Sequence, residues 1–418
     1  MIRDIIQIQK REIERKLEER YVERDIVVRG LDSDLIKVII GPRRSGKSFF
    51  AIHALCGTSG FGYANFDDER LAGTRDYDEV VSAIDSVYGS PKNILFDEIQ
   101  NLDRWELFAN RLQRQGYNLV ITGSNSKLLG RELATHLTGR HALINVFPFS
   151  FKEVLGLERE DLTERETMAR CHSYVTDGGY PEPLVKNLDR KDYLSTLFNS
   201  IIYKDIVKRF GIRSAQGIED LAIYLVSNVA REFSFNTLSK VTRCKSVHTV
   251  EKYLGHLEEA FVLFRVSRYS PKLREQMGSN KKIYCIDNGL VAAKAFKVSP
   301  EMGRLYENAV AVELKKRELM GALNVHFWRS GQQEEVDFVV RRGLEVRQLI
   351  QVCYALDEPK TKERETRALI KAGKELGCKN LLVITESYEA VEQATWFGNR
   401  ARIRFVPLWK WLCEASRH

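Results

Sequence analysis

A glycine-containing segment near the start of the chain combines residue types that bind phosphate. Its sequence, GPRRSGKS, has the P-loop spacing of glycine, four residues, then Gly-Lys-Ser. Gly41 and Gly46 let the backbone curl so that successive N–H groups point at phosphate oxygens. Lys47 would reach the β- and γ-phosphates of ATP, and the Ser48 hydroxyl would bind Mg²⁺. The predicted nucleotide-binding residues are Gly41, Pro42, Arg43, Arg44, Ser45, Gly46, Lys47, Ser48 and Phe49.

Two acidic residues end the apolar segment NILFDE, about fifty residues further along the chain. A carboxylate at the carboxyl end of a strand can hold Mg²⁺ directly or through water, and we assign this Walker-B role to Asp97. Glu98 would polarise the attacking water as general base. Taken alone, the pair could be a strand end that runs into a solvated acidic turn. Beside a P-loop, it indicates ATP hydrolysis.

Further candidates follow a third apolar segment, NLVITGSN. Ser124 or Asn125 could contact the γ-phosphate or the water, because strands of an open parallel sheet present ligand-facing groups at their carboxyl ends. The alternative is a turn that merely ends a strand. Arg131 or Arg140 could be an arginine finger, acting within one chain or on a neighbouring subunit. Self-association is therefore a possible partner interaction, although either arginine could also be an ordinary surface residue.

The elements that must position these residues alternate between strands and helices. Within residues 35–148, the apolar runs LIKVII, FGYANFD, NILFDE, NLVITGS and ALINVFP are separated by helical patterns. Such alternation predicts an α/β P-loop NTPase domain with a parallel sheet. Residues 1–34 are expected to form a charged helix that packs on this core. Helical patterns over residues 149–228 predict a lid.

Residues 229–285 show the order helix, turn, helix, strand that is typical of a winged helix. Lys245, His248 and Lys252 could face phosphates, which makes DNA a possible partner. The alternative is a winged helix used only for packing or dimerisation, because the second helix also carries Glu251 and other glutamates.

Residues 286–418 read as a further α/β domain. Three of its polar residues could form a metal site: Glu307, Asp337 and Gln351. Nucleases that cut phosphodiesters hold a metal with such residues and use a lysine two positions after the last one. Here Gln351 stands in place of an acid and Cys353 in place of the lysine. Lys360 or Lys362 could supply the missing charge, and the alternative is a degenerate, non-catalytic domain.

Composition sets broad limits. The 418 residues predict two to four domains, and Lys plus Arg exceed Asp plus Glu by 65 to 57, for a net charge of +8 that permits a nucleic-acid partner. Seven scattered cysteines without a Cys-x-x-Cys pair favour a reducing cytosol over a disulfide framework or a zinc site. The charged N-terminus is no signal peptide, and no apolar run is long enough to span a membrane, so we expect a cytoplasmic protein.

The motifs together resemble a family of archaeal and bacterial AAA-type ATPases that join a P-loop domain to a winged helix and a nuclease-like C-terminal domain. The matching segments are GPRRSGKS, YANFDDERL, ILFDEIQN, ITGSNSKLL, LTGR, FPFSFKE, GGYPE, YKDIVKR, KIYCIDNGL, YENAVAVEL, EVDFVV and VPLWKWL. They extend over nearly the full length. The resemblance implies ATP binding, a lid, a winged helix and a restriction-endonuclease-like domain of the PD-(D/E)-x-K type.

The resemblance also assigns residues. The nucleotide site of the family falls on Lys47, Ser48, Asp97 and Glu98. Its nuclease-like acids fall on Glu307 and Asp337, whereas Gln351 and Cys353 depart from its pattern. We expect an ATPase that moves or regulates a DNA-directed module. Two alternatives stay open: a nucleotide-dependent switch or scaffold that binds protein, and an ATP-regulated, metal-dependent nuclease.

Overall fold

The computed structural model describes residues 1–26, 33–58, 60–71, 73–124, 141–158, 160–244, 246–296, 301–356 and 359–414. The chain folds into two compact units. The N-terminal unit comprises Met1–Pro148 with Glu259–Phe261, and the C-terminal unit comprises Phe149–Glu258 with Val262–His418.

Five parallel strands form the centre of the N-terminal unit. In chain order they are β1 (Ile36–Ile40), β2 (Phe61–Asn65), β3 (Asn93–Asp97), β4 (Asn118–Gly123) and β5 (His141–Asn145). They lie in the order β2-β3-β4-β1-β5, and every neighbouring pair is parallel. Every residue of β1 and β3 is buried, as expected for strands covered on both faces. The parallel α/β sheet predicted from the sequence is thus confirmed.

Among the described residues of this unit, four helices and a 3₁₀ turn at Ile99–Asn101 accompany the sheet. The helices are α1 (Ile2–Glu18), α2 (Lys47–Cys56), α3 (Tyr77–Tyr88) and α4 (Trp105–Arg114). Helix α1 inserts isoleucines, among them the fully buried Ile6, into the core of the unit. Its Gln9 donates from Nε2 to the carbonyl of Asn65 (3.1 Å) and accepts from the Asn65 N–H (2.9 Å). The side chain of Gln9 thereby satisfies the backbone at the end of edge strand β2.

Nine strands form one mixed sheet in the C-terminal unit. They are β6 (Arg231–Phe233), β7 (Leu263–Arg268), β8 (Lys281–Cys285), β9 (Asn324–Arg329), β10 (Glu335–Arg342), β11 (Glu345–Val352), β12 (Leu381–Thr385), β13 (Ala390–Trp396) and β14 (Asn399–Pro407). Their order is β13-β14-β12-β11-β10-β9-β7-β8-β6. Strands β7 and β9 pair in parallel, so strands on both sides of the predicted 285/286 boundary belong to the same sheet.

Helices surround this sheet. They are α5 (Phe151–Leu155), α6 (Glu164–Asp177), α7 (Pro181–Val185), α8 (Arg190–Ser200), α9 (Ala215–Val226), α10 (Phe235–Val241), α11 (Val247–Glu259), α12 (Leu273–Gly278), α13 (Asn288–Lys294), α14 (Met302–Leu319), α15 (Pro359–Leu376) and α16 (Leu408–Glu414). A π-helical segment, Ile201–Lys208, continues α8 directly. Capping boxes of Ser150 with Glu153 and of Thr163 with Glu166 begin α5 and α6.

The structure differs from the sequence prediction at three places. The N-terminal helix, predicted within residues 1–34, ends at Glu18. The run FVLFRV predicts the strand of the winged helix over residues 261–266, but the strand begins at Leu263, because Phe261 has a φ of 54° that an extended strand does not accommodate. The sequence of residues 403–409 predicts one final strand and a turn, whereas the chain in this region forms the hairpin β13–β14 followed by α16. Phe397 and Gly398 both have positive φ, as a two-residue hairpin turn requires.

Candidate functional site

The P-loop segment lies between β1 and α2, at the carboxyl end of the parallel sheet. A Cβ added to Gly41 would lie 1.9 Å from the carbonyl oxygen of Val146, so only glycine fits there. Gly46 has a φ of 92° and forms the N-cap of α2, which no side chain among the described residues caps. The amino end of α2, where the helix dipole is positive, therefore lies at the loop and favours an anion there.

Side-chain hydrogen bonds fix the shape of this loop. Ser45 Oγ donates to the carbonyl of Val146 (2.8 Å). The buried guanidinium of Arg24 donates to the carbonyls of Ser45 (3.0 Å) and Phe147 (2.5 Å). Lys47 Nζ donates to the carbonyl of Pro42 (2.9 Å). Arg24, which precedes the loop in the sequence, thus holds the loop at Ser45, and Lys47 makes a hydrogen bond within the loop to Pro42.

The two side chains predicted to bind Mg²⁺ contact each other. Ser48 Oγ donates to Asp97 Oδ1 (2.8 Å), Thr122 Oγ1 donates to the same oxygen, and Tyr63 OH donates to Asp97 Oδ2 (3.0 Å). Burial and the nearby charge of Glu98 raise the pKa of Asp97, while the three hydroxyls oppose that rise. Hydroxyl and carboxylate oxygens are hard ligands of the kind Mg²⁺ prefers, so this donor set fits the ion.

Glu98 has a strained backbone, and the side chains of Thr122 on β4 and Ser124 just after β4 hold it beside Asp97. Its φ is 51°, a left-handed conformation that costs a non-glycine residue about 1–2 kcal/mol. Its N–H donates to Thr122 Oγ1 (3.0 Å). Its Oε2 accepts from Ser124 Oγ (3.1 Å) and from Gln100 Nε2. Thr122 therefore bridges the two acidic residues, and Ser124 contacts Glu98.

The other predicted nucleotide-site residues differ in exposure. Pro42 is buried, Arg43 is half-buried and Arg44 is exposed. The ring of Phe49 lies against His53 at 4.9 Å between centroids. Four predicted residues lie outside the described part of the chain: Asn125, Arg131, Arg140 and Lys245.

The C-terminal acids converge on a residue that the sequence did not suggest. Lys282, on β8, is 3% exposed at its side chain, and its Nζ lies 2.8 Å from Glu307 Oε1 and 3.0 Å from Asp337 Oδ1. A third carboxylate oxygen, Glu335 Oε1, lies 2.5 Å from the same nitrogen. Tyr284 OH donates to Glu307 Oε1 (2.7 Å). We call these three acids and Lys282 the acid cluster.

Burial and charge act against each other in this cluster. Burial raises the pKa of Glu307 to about 7, and Asp337 adds to that rise while Lys282 opposes it. Burial likewise raises the pKa of Asp337, again opposed by Lys282. Burial alone would lower the pKa of Lys282, but its acidic neighbours hold it well above the ordinary value. The charged lysine and its carboxylates stabilise one another.

Gln351 and Cys353 do not bring a positive charge to the cluster. Gln351 accepts from the N–H of Asp337 (3.3 Å) and donates to Glu365 Oε2 (2.7 Å). The thiol of Cys353 donates to the carbonyl of Ala355 (3.3 Å). Lys362, one of the two lysines considered for the missing charge, donates to Glu392 (2.6 Å). The lysine that reaches the acids is Lys282.

Two of the three residues predicted to face DNA, His248 and Lys252, lie on α11. His248 and Lys252 are exposed, and so is Glu251 between them. Ser246 Oγ accepts from the N–H of Thr249 (3.1 Å) at the start of this helix. The described exposed face therefore mixes both signs of charge.

Several residues that contribute to the two sites escaped the sequence analysis, among them Arg24, Thr122 and Lys282. The sequence contained a pattern that could have identified Thr122 and Lys282. Thr122 is the one hydroxyl-bearing residue in the run LVIT, and Lys282 alternates with Tyr284, which places both on one face of a strand. Arg24 had no such pattern, because it reaches the P-loop from a segment without regular structure.

Comparison with known families agrees with the fold of the N-terminal unit. An AAA domain model matches residues 33–155, and two models of domains of unknown function match residues 168–301 and 302–411. Among solved structures, the Walker-type ATPase PABY2304 of Pyrococcus abyssi aligns at 16% identity and a TM-score of 0.41, covering 68% of this chain and 93% of that one. A likeness of that size carries no argument about function. Within the described residues, no helix has the length and apolar character needed to cross a bilayer.

Two relatives match across most of their lengths. The uncharacterized protein MJ1544 of Methanocaldococcus jannaschii is 34% identical over 412 residues, which cover 94% of this chain and 91% of the relative. An uncharacterized protein of Haemophilus influenzae is 30% identical over 381 residues, which cover 86% and 92%. The chain therefore belongs to the same family as these archaeal and bacterial proteins, and its residues 33–155 match an AAA domain.

Proposed function

We propose that this protein is a Mg²⁺-dependent ATPase that binds ATP, and releases ADP, at the carboxyl end of the five-stranded sheet. The observation that carries the proposal is the 2.8 Å hydrogen bond from Ser48 Oγ to Asp97 Oδ1, because it joins the P-loop hydroxyl to the acid of β3. These two residues would hold Mg²⁺, which neutralises phosphate charge when bound. Lys47 would bind the β- and γ-phosphates, and Glu98 would take a proton from the attacking water.

Two substitutions test this assignment. Lys47→Ala should abolish ATP binding or turnover. Glu98→Gln should keep ATP bound while hydrolysis becomes slow, because the amide cannot accept the proton. Lys92→Ala is the matched control, since Lys92 is an exposed lysine on the same unit. Unchanged ATPase rates in Lys47→Ala would contradict the P-loop assignment, and normal turnover in Glu98→Gln would require another base.

Arg131 and Arg140 remain candidates for an arginine finger, and Ser124 and Asn125 for contacts to the γ-phosphate. If the finger comes from a neighbouring chain, the turnover rate per chain should rise with protein concentration. Replacing each arginine with alanine should then identify the finger by a large loss in rate. A rate per chain that is independent of concentration would favour a finger within the same chain.

We further propose that ATP turnover drives or regulates a DNA-directed module built on residues 229–285. Within these residues the order β6, α10, α11, β7, α12, β8, with β8 antiparallel to both β6 and β7, supports a winged helix. In that module α11 would present His248 and Lys252 to phosphates, and Lys245, outside the described residues, is the third candidate.

DNA binding is tested by fluorescence polarisation on duplex, forked and single-stranded DNA at increasing salt. Affinity should fall steeply as salt rises, because each neutralised phosphate releases counterions. Lys252→Glu should weaken binding more than the charge-matched control Lys92→Glu. Absence of binding to all three DNA forms at low salt would contradict the proposal.

The alternative of a nucleotide-dependent switch that binds protein is favoured by one observation, the presence of Glu251 beside Lys252 on the exposed face of α11. A cytoplasmic location fits either function, and all seven cysteines, each in the described part of the chain, are free. An ATP-regulated nuclease is the third candidate, and Glu307 and Asp337 would be its acids.

A further inference from the structure

The acid cluster already contains a cation. An ammonium has three N–H donors, and Lys282 has three carboxylate acceptors: Glu307 Oε1 at 2.8 Å, Glu335 Oε1 at 2.5 Å and Asp337 Oδ1 at 3.0 Å. The side chain that makes these contacts is 3% exposed. Each donor therefore has an acidic partner within hydrogen-bond distance.

Protein donors also occupy other positions on the same carboxylates. Tyr284 OH donates to Glu307 Oε1 (2.7 Å), and the N–H of Val352 donates to Asp337 Oδ2 (2.9 Å). Within the described residues, no group of three or more His, Cys, Asp or Glu side chains is arranged to hold a metal ion. A divalent ion that used these oxygens would have to displace Lys282 or sit close to its positive charge in a site of low dielectric.

We propose that the ammonium of Lys282 takes the place of a metal ion in the acid cluster, so that the cluster joins β8 to β10 and α14 through buried ion pairs and does not serve metal-dependent cleavage. Two neighbouring contacts agree with a joining role. Asn308, next to Glu307 on α14, accepts from the N–H of Cys285 (2.8 Å) and donates to its carbonyl (2.9 Å). The inference concerns the C-terminal unit and stands independently of ATP hydrolysis.

One consequence makes the proposal testable. Three carboxylate oxygens surround the Lys282 nitrogen at 2.5–3.0 Å, and a divalent cation binds such oxygens at about 2.1–2.6 Å. A small contraction would therefore fit a cation at the position of the nitrogen. Lys282→Met removes the charge and keeps much of the apolar volume, so it should create a cation site that the wild-type chain lacks.

The experiment uses the full-length chain without nucleotide, in an Asp97→Asn background that removes the P-loop carboxylate. Bound Mn²⁺ is counted by electron paramagnetic resonance, and the melting temperature is measured with and without Mn²⁺. Four chains are compared: the parent, Asp337→Asn, Lys282→Met, and Lys282→Met with Asp337→Asn.

We expect the parent and Asp337→Asn to bind the same amount of Mn²⁺. Lys282→Met should melt on the order of 10 °C lower without metal, because it leaves buried carboxylates unpaired. It should then gain one Mn²⁺ per chain and recover several degrees. Adding Asp337→Asn should remove the Mn²⁺ gain and reduce the loss in metal-free melting temperature.

Two results would overturn the proposal. One is a Mn²⁺ ion in the parent that Asp337→Asn removes, which would mean that the cluster binds metal with Lys282 present. The other is a folded Lys282→Met chain that gains no Mn²⁺. If Lys282→Met does not fold, the comparison of the parent with Asp337→Asn still decides, together with a Mn²⁺-dependent DNA cleavage assay in which neither chain should cut.

Discussion

Thr122 offers a sharp test of the proposed hydrolytic site, because a single hydroxyl links its two acids. Thr122 is 1% exposed, donates to Asp97 Oδ1 and accepts from the N–H of Glu98 at 3.0 Å. Thr122→Val keeps the shape of the side chain and removes both hydrogen bonds. Thr122→Ser keeps the hydroxyl and loses only a methyl group, so it is the matched control.

The cost of Thr122→Val follows from the two lost contacts. An N–H left without an acceptor costs about 1–3 kcal/mol, and a lost hydrogen bond to a carboxylate costs about 1.5–3 kcal/mol. Asp97 still accepts hydrogen bonds from the hydroxyls of Ser48 and Tyr63, so the loss of its bond to Thr122 should cost an amount near the lower limit of that range. We expect a loss of about 2–4 kcal/mol in the free energy of unfolding, measured by urea denaturation with circular dichroism.

Turnover should fall as well. The left-handed backbone at Glu98 is held by its hydrogen bond to Thr122, and without it the peptide can relax toward an ordinary φ and displace the carboxylate. Since a displacement of about 1 Å can cost roughly 100-fold in rate, kcat should fall by about 10- to 100-fold. KM for ATP should change little, because the P-loop contacts remain. Equal kcat and equal urea midpoints for Thr122→Val and Thr122→Ser would refute this account.

Two other substitutions probe the remaining features. Gly41→Ala should lower the free energy of unfolding by about 3 kcal/mol or more, because its Cβ would meet the Val146 carbonyl at 1.9 Å. A Cβ added to Gly57 would meet no atom of the described residues within 4 Å beyond its chain neighbours, so Gly57→Ala is the control and should change the free energy of unfolding by about 1 kcal/mol at most. Thermal melting compares the two variants, and equal losses of stability would contradict the steric argument. Burial raises the pKa of Asp287 to about 6, so the folded chain holds this proton more tightly than the unfolded chain. As pH rises from about 4 to about 6, the free energy of unfolding of the wild type should therefore fall by up to about 3 kcal/mol relative to that of Asp287→Asn. Urea titrations across that range measure the difference, and a constant difference would mean that the pKa of Asp287 is ordinary.

The N-terminal unit could be predicted well because its signals are local. Each strand is a short apolar run, and the P-loop combines glycine positions with a strand before it and a helix after it. Asp97 and Glu98 follow directly from a strand end. Sequence order also fixes which strand ends meet, because all five strands are parallel and their carboxyl ends share one edge.

The acid cluster could not be predicted in the same way, because its cation and its acids are far apart in the sequence. Lys282 precedes Glu307 by 25 residues and Asp337 by 55. Its immediate neighbour Lys281 has the same side chain, and only the pairing of β8 within the sheet decides which lysine is buried. A lysine near Gln351 in the sequence would be Lys360 or Lys362, whereas the charge comes from β8, which β9 and β7 separate from β10 in the sheet.

The continuous nine-stranded sheet has a consequence for how the chain can be inherited. The family models divide residues 168–301 from 302–411, yet β7 pairs with β9 and Lys282 reaches Glu307 and Asp337 across that division. A gene rearrangement that transferred residues 302–411 alone would expose the edge of β9. It would also leave the buried Glu307 and Asp337 without the positive charge of Lys282. The two segments should therefore be transmitted as one evolutionary unit, and a relative that lacks the first should also have lost the acids.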